Sequence, residues 1–118
     1  MPSFDLKQVL SDRTAQDRTW LEFLRVPSLS VGVYHLQAGQ NDGQRPHTED
    51  EVYYVVQGRA QFRASAETQT VGPGTVIFVE RSVEHRFFEI AEDLTLLVFF
   101  APAEGSMGLG QAPHAAAK

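Results

Sequence analysis

A chain of 118 residues and 13.1 kDa holds enough material for one domain with its own core, and not for two. It contains no cysteine, which excludes disulfides, thiolate metal sites, iron–sulfur clusters and a cysteine nucleophile. With 15 acidic against 10 basic side chains the net charge is −5, a poor match to nucleic acid or an anionic membrane surface.

In chain order, residues 1–19 read as a head in which Ser3 or Asp5 can cap a helical turn carrying Leu6, Val9 and Leu10. So short a helix must pack on the body to persist. Strands are expected over 20–25 and 28–36, separated at Pro27, and over 52–57, where VYYVVQ is β-branched and aromatic. Residues 59–64 alternate, with Ala60, Phe62 and Ala64 on one face, and Gly58 before them suggests a tight hairpin. Further strands are expected over 75–79, 85–89 and 94–100. The runs VIFV and LTLLVFF are apolar on both faces, as in strands deep inside a body. Short strands with turn residues between them and no intervening helix indicate an all-β antiparallel barrel or jelly roll, here with a short N-terminal helical segment. Residues 104–118, EGSMGLGQAPHAAAK, offer almost nothing for a core and read as a disordered tail. The longest apolar run, 96–101, is too short to span a membrane, and MPSFDLKQVLSDR lacks the basic stretch and apolar core of a secretion signal. The expected compartment is the cytoplasm.

Four histidines are the starting point for chemistry. His114 lies in the tail, and His35 shares strand parity with Val31 and Val33, which reads as a partly buried core position. His47 and His85 are set among acidic and turn-forming residues. On a straight strand His47 and Glu51 would lie roughly 13 Å apart, too far to share an ion. A bend at Thr48–Asp50 would let imidazole and carboxylate converge. Two neutral imidazoles and a carboxylate form a ligand set for a first-row divalent ion; the alternative is hydrogen bonding across a polar rim. No GxSxG, GxGxxG or Walker-type loop is present, so a serine nucleophile and phosphate-binding loops have no local support. Arg81 and Arg86 flank His85 and can hold a carboxylate or form a solvated strand edge.

The two segments around His47 and His85 resemble the paired motifs of the cupin superfamily. Gly39, His47, Glu51 and Gly58 fall in register with G(X)5HXH(X)3–4E(X)6G, and Gly74 and His85 with G(X)5PXG(X)2H(X)3N. The resemblance covers about residues 28–101 and implies a small β-barrel over 20–103 with the head packed outside it. Arg45 stands at the first histidine of the pattern, Glu80 and Ser82 at its Pro and Gly, and Glu89 at its Asn. A guanidinium has no lone pair to donate, so Arg45 cannot be a ligand. Carried over by position, the resemblance implies a divalent transition metal (iron, manganese, nickel or zinc) on His47, Glu51 and His85. Two functional readings follow. One is a metal-dependent enzyme of dioxygenase, isomerase or lyase type acting on a small polar organic molecule. The other is a non-catalytic module that binds or senses a metabolite or metal. A purely structural β domain is a third. Arg45, at the rim, suits an anionic ligand, and Tyr53 is a further ligand-binding candidate. No residue is an evident extra acid or base; Glu49, Asp50 and Tyr53 are candidates by proximity alone. The apolar strands and Trp20 exceed what one small barrel covers, which predicts a homodimer.

Overall fold

The computed structural model describes residues 1–107. α1 spans Leu6–Gln16 and begins at Asp5, whose side chain makes no capping hydrogen bond. The helix runs well beyond the single turn expected, because residues 11–16 contain neither glycine nor proline. It ends at Asp17, which takes a left-handed conformation and donates its N–H to Thr14. Val9 is its buried residue, and the helix lies against the first two strands, outside the sheet.

The strands are β1 (Trp20–Val26), β2 (Leu29–Leu36), β3 (Asp50–Ala64), β4 (Glu67–Val71), β5 (Val76–Val79) and β6 (His85–Ala101). All pairings are antiparallel, in the order β1-β2-β6-β3-β4, with β5 also pairing β3. The result is an all-β sheet curled on itself as a jelly roll, without closing into a complete barrel among the described residues.

The predicted strands 52–57 and 59–64 are one strand, β3, and 85–89 and 94–100 are one strand, β6. Gly58 makes no hairpin. It sits at a register shift with φ +99°, and a Cβ there would come within 2.3 Å of the Asp93 carbonyl, so a side chain is excluded by the neighbouring strand. The shift reverses the inward parity of β3: Glu51, Tyr53 and Val55 face inward before it, Ala60 and Phe62 after it. β6 does the same around Glu89, from His85 and Phe87 to Ile90, Leu94, Leu96, Val98 and Phe100. The polar run ETQTV, outside the expected strands, forms β4 by pairing with the second half of β3. β5 is not deep inside the body, since Val76 and Phe78 face outward and are exposed.

Inside the curl pack Tyr34, Leu36, Tyr53, Phe62, Phe87 and Phe100 with the aliphatic residues of β6. Trp20 is buried edge-on against Phe100 in the chain's own core, so it gives no reason to expect a partner. Its ring fills the space where a Cβ on Gly32 would fall, 2.3 Å away. Glu104 to Met107, at the start of the small-residue tail, fold back onto the sheet end; the tail from residue 108 onward lies outside the described residues. None of the described helices is long and apolar enough to cross a membrane.

Ser82 (φ 64°) and Glu89 (φ 45°) hold left-handed backbone at positions where the cupin pattern has Gly and Asn, residues that adopt it readily. Ser82, in the turn before β6, and Glu89, within β6, thus hold this backbone against the preference of their side chains. Ser82→Gly and Glu89→Asn should each stabilise the protein by up to about 1 kcal/mol, read as a higher urea midpoint at unchanged slope. A lower midpoint for both would show that the backbone at these sites is unstrained.

Candidate functional site

His47 ends the loop before β3, and the chain bends at Thr48 and Glu49 before Asp50 begins the strand. That bend overcomes the straight-strand separation: His47 Nδ1 lies 3.6 Å from Glu51 Oε1. The turn before β6 is tied to this loop, since Ser82 donates its N–H to the His47 carbonyl at 2.6 Å. His85, first residue of β6, places Nε2 3.0 Å from Glu51 Oε1. His47, Glu51 and His85 are buried, with ligand atoms within 4.8 Å of one another, close enough to hold a metal ion.

The surroundings orient these groups. His85 Nδ1 lies 2.8 Å from the Val83 carbonyl, an acceptor only, so Nδ1 carries a proton and Nε2 is the nitrogen turned to the centre. Glu51 Oε2 is buried with no partner of hydrogen-bonding geometry among the described residues. An unpartnered anionic oxygen beside two imidazoles is what a bound cation would satisfy. Burial alone would push the His85 imidazole down; the hydrogen bond and charge of Glu51, the Val83 carbonyl and Asp42 outweigh it, and the net shift is upward.

Sequence reasoning missed a buried polar network behind this group. Asp42 accepts hydrogen bonds from Tyr34 Oη (2.6 Å), Gln44 Nε2 (2.7 Å) and the Phe87 N–H (2.9 Å). Tyr53 donates to Gln44 Oε1 at 3.0 Å, and its oxygen lies 3.2 Å from His85 Nε2. Burial first, then the charges of Glu51 and Asp42, pushes the Tyr53 phenol well up; burial and Asp42 do the same to Tyr34. Asp42 had no distinguishing signal, because in GQNDGQ it reads as a turn residue.

Glu104 was also missed. Its Oε2 lies 3.3 Å from His47 Nε2, with both residues buried. Its backbone is held by Ser30 Oγ, which accepts the Glu104 N–H, and by Arg25, which donates to the Glu104 carbonyl. Glu49 accepts the N–H groups of Gly105 (2.9 Å) and Met107 (3.1 Å), so it anchors this segment. Asp50 likewise accepts the Arg81 N–H. Both carboxylates expected by proximity to act in acid–base chemistry are therefore engaged in holding backbone.

Arg45 and Arg86 line one cleft of about 390 Å³, together with Arg63, Gln44, Glu84 and His85. Arg81 is exposed outside that lining. His35 is half-buried, 3.2 Å from Thr95 Oγ1, and takes no part in the centre. His114 lies outside the described residues.

Comparison with known proteins bears on the family and the fold. The family model for the cupin domain matches residues 32–100. An uncharacterised protein of Streptomyces coelicolor is 46% identical over 104 residues, covering 88% of this chain and 99% of that protein. Among solved structures, TT1209 from Thermus thermophilus superposes with a TM-score of 0.70 at 26% identity, covering 87% of this chain and 99% of that one. A salicylate 1,2-dioxygenase from Pseudoaminobacter salicylatoxidans, solved as a mutant with gentisate, gives a TM-score of 0.69 at 16% identity, covering 81% of this chain and 31% of that one.

The upward shift of His85 sets a pH dependence for the metal-free protein. A folded value above the ordinary 6.5 means that the His85–Glu51 pair stabilises fully below that value and less as pH rises through the folded one. In chelator-treated protein, the wild type should hold its melting-temperature advantage over His85→Gln at about pH 6 and below and lose it progressively as the pH is raised above the ordinary histidine value. An advantage that grows with pH would contradict the pairing.

Proposed function

We propose, from the premise that the chain belongs to the cupin domain family, that it binds a divalent transition metal through His47, Glu51 and His85 and acts on a small polar organic molecule. The observation that carries this reading is the convergence of two buried imidazoles on one buried carboxylate whose second oxygen lacks a partner. Iron, manganese, nickel and zinc all suit this donor set. When bound, such an ion supplies Lewis acidity or, if iron, oxygen activation. The chain's own residues do the rest. The Val83 carbonyl keeps Nε2 of His85 turned inward. Glu104, on Nε2 of His47, leaves Nδ1 as the nitrogen that faces Glu51. Tyr53, held neutral, is a hydrogen-bonding group beside His85 and not a base. Arg45 and Tyr53 are the proposed ligand-binding residues.

Dioxygenase, isomerase and lyase chemistry all fit an open metal site on this fold. The alternative is a binding or sensing module without turnover. Arg45, a cation where the family pattern has a ligand, favours it. The charge of −5 supports a role away from nucleic acid and membrane surfaces, and the cytoplasm is the proposed compartment.

Elemental analysis tests the site. Purified protein should carry about one transition metal per chain, Glu51→Ala should lose it, and Arg45→Ala should keep it. Metal retained in Glu51→Ala but lost in Arg45→Ala would overturn the assignment. Oxygen uptake or product formation with catechols, keto acids and thiols then separates enzyme from binder.

The proposed partner is a second copy of the chain. Across the outward face, Tyr54 is registered beside Val76 and Leu97, and Val52 beside Phe78 and Phe99. Val76 and Phe78 are 65% and 63% exposed, making a contiguous apolar surface that a dimer would cover. Light scattering should give a dimer mass for the wild type and a monomer for Phe78→Glu with unchanged circular dichroism. A wild-type monomer refutes the pairing.

A further inference from the structure

We propose that the cleft beside His85 binds a small organic dianion, a dicarboxylate or a phosphate ester, through Arg45, Arg63 and Arg86. Antiparallel pairing places Arg63 of β3 directly opposite Arg86 of β6, and both are exposed. Like charges directly opposite across a strand pair are destabilising. The same two strands obey the opposite rule nearby, where Arg59 is registered against Glu92 and its Nε lies 4.0 Å from the carboxylate. Arg45 reaches the same cleft from the loop before His47, which makes three guanidiniums around a space of about 390 Å³. Among the described residues, none of the three has a carboxylate within 4.0 Å. Glu84 also lines the cleft without pairing to them, and the carboxylate of Asp42 is engaged by Tyr34, Gln44 and Phe87.

Three unneutralised cations gathered in a concave space form an anion site. Each guanidinium presents a planar fork that matches carboxylate or phosphate oxygens two at a time. More than one cation calls for more than one negative charge on the ligand, and the volume suits a small molecule. An overall charge of −5 turns away a long polyanion while leaving this local field intact. Buried Gln44 and His85 line the inner side, and His85 is shared with the group proposed to hold metal. The dianion is therefore the substrate class of that centre. This last step rests on the metal reading, whereas binding of the anion does not.

The test uses calorimetric titration of succinate and of glycerol 3-phosphate, with acetate and glycerol as controls, into full-length protein, both chelator-treated and metal-loaded. At least one dianion should bind in both forms and raise the melting temperature, with acetate weaker and glycerol inert. Arg63→Gln and Arg86→Gln should each weaken binding by about tenfold or more, and Arg59→Gln should leave it unchanged. Without ligand, Arg63→Gln should melt at or above the wild-type temperature, because a repulsion is relieved. The proposal is overturned if neither dianion binds, or if Arg63→Gln and Arg86→Gln bind as the wild type does. Dianion binding without metal uptake would sink the metal reading alone; metal uptake without dianion binding would sink this proposal alone.

Discussion

The structure turns on the pairing of β3 with β6 along nearly their whole length. His85 is registered opposite Ala64 at one end of β3, and Glu51 opposite Phe100 at the other, yet the two side chains are 3.0 Å apart. Contact between residues at opposite ends of a paired ladder requires the sheet to fold over on itself. The register shifts between Val55 and Gln61 provide the bend, and the accompanying change of parity lets both halves of each strand face one interior. Without those shifts one half would turn its apolar face to solvent.

That interior is unusually polar for so small a body. Glu49, Glu51, Glu104, Asp42, His47 and His85 are all buried. Desolvating so many charged or titratable groups is unfavourable unless each is paired or hydrogen-bonded. Glu49 and Asp42 meet that condition through backbone N–H groups and neighbouring side chains, which makes them structural. Glu51 meets it only in part, through the two imidazoles, and the residual need at Oε2 concentrates the chemistry there. Asp42, Gln44 and Tyr53 extend from His85 into the core, so the geometry of the centre is coupled to core packing.

The residues proposed to hold metal were legible because their types and spacings match a known pattern and because a bend could be placed before β3. The rest of the site was not. Glu104 lies far from His47 in sequence, in a segment that looks featureless, and it reaches the imidazole because Ser30 and Glu49 capture its backbone and that of Gly105. Alternation correctly sorted Ala60 and Phe62 from Arg59 and Arg63, but it could not say that Arg63 would face Arg86. Gly58 was read as a turn because glycine permits a hairpin and a bulge alike. The close approach of Asp93 selects between them.

Local composition and periodicity, together with the motif resemblance, were enough to determine the β class, the helical head, the inward face of residues 59–64 and the identity of three convergent polar residues. Those properties depend on each residue and its near neighbours, so they survive in one dimension. Tertiary structure alone decided that two predicted strand pairs are single bent strands, that Glu104 joins His47, and that three arginines share a cleft. Each of these depends on register and curl between segments far apart in the chain, which side-chain spacing along one segment does not encode.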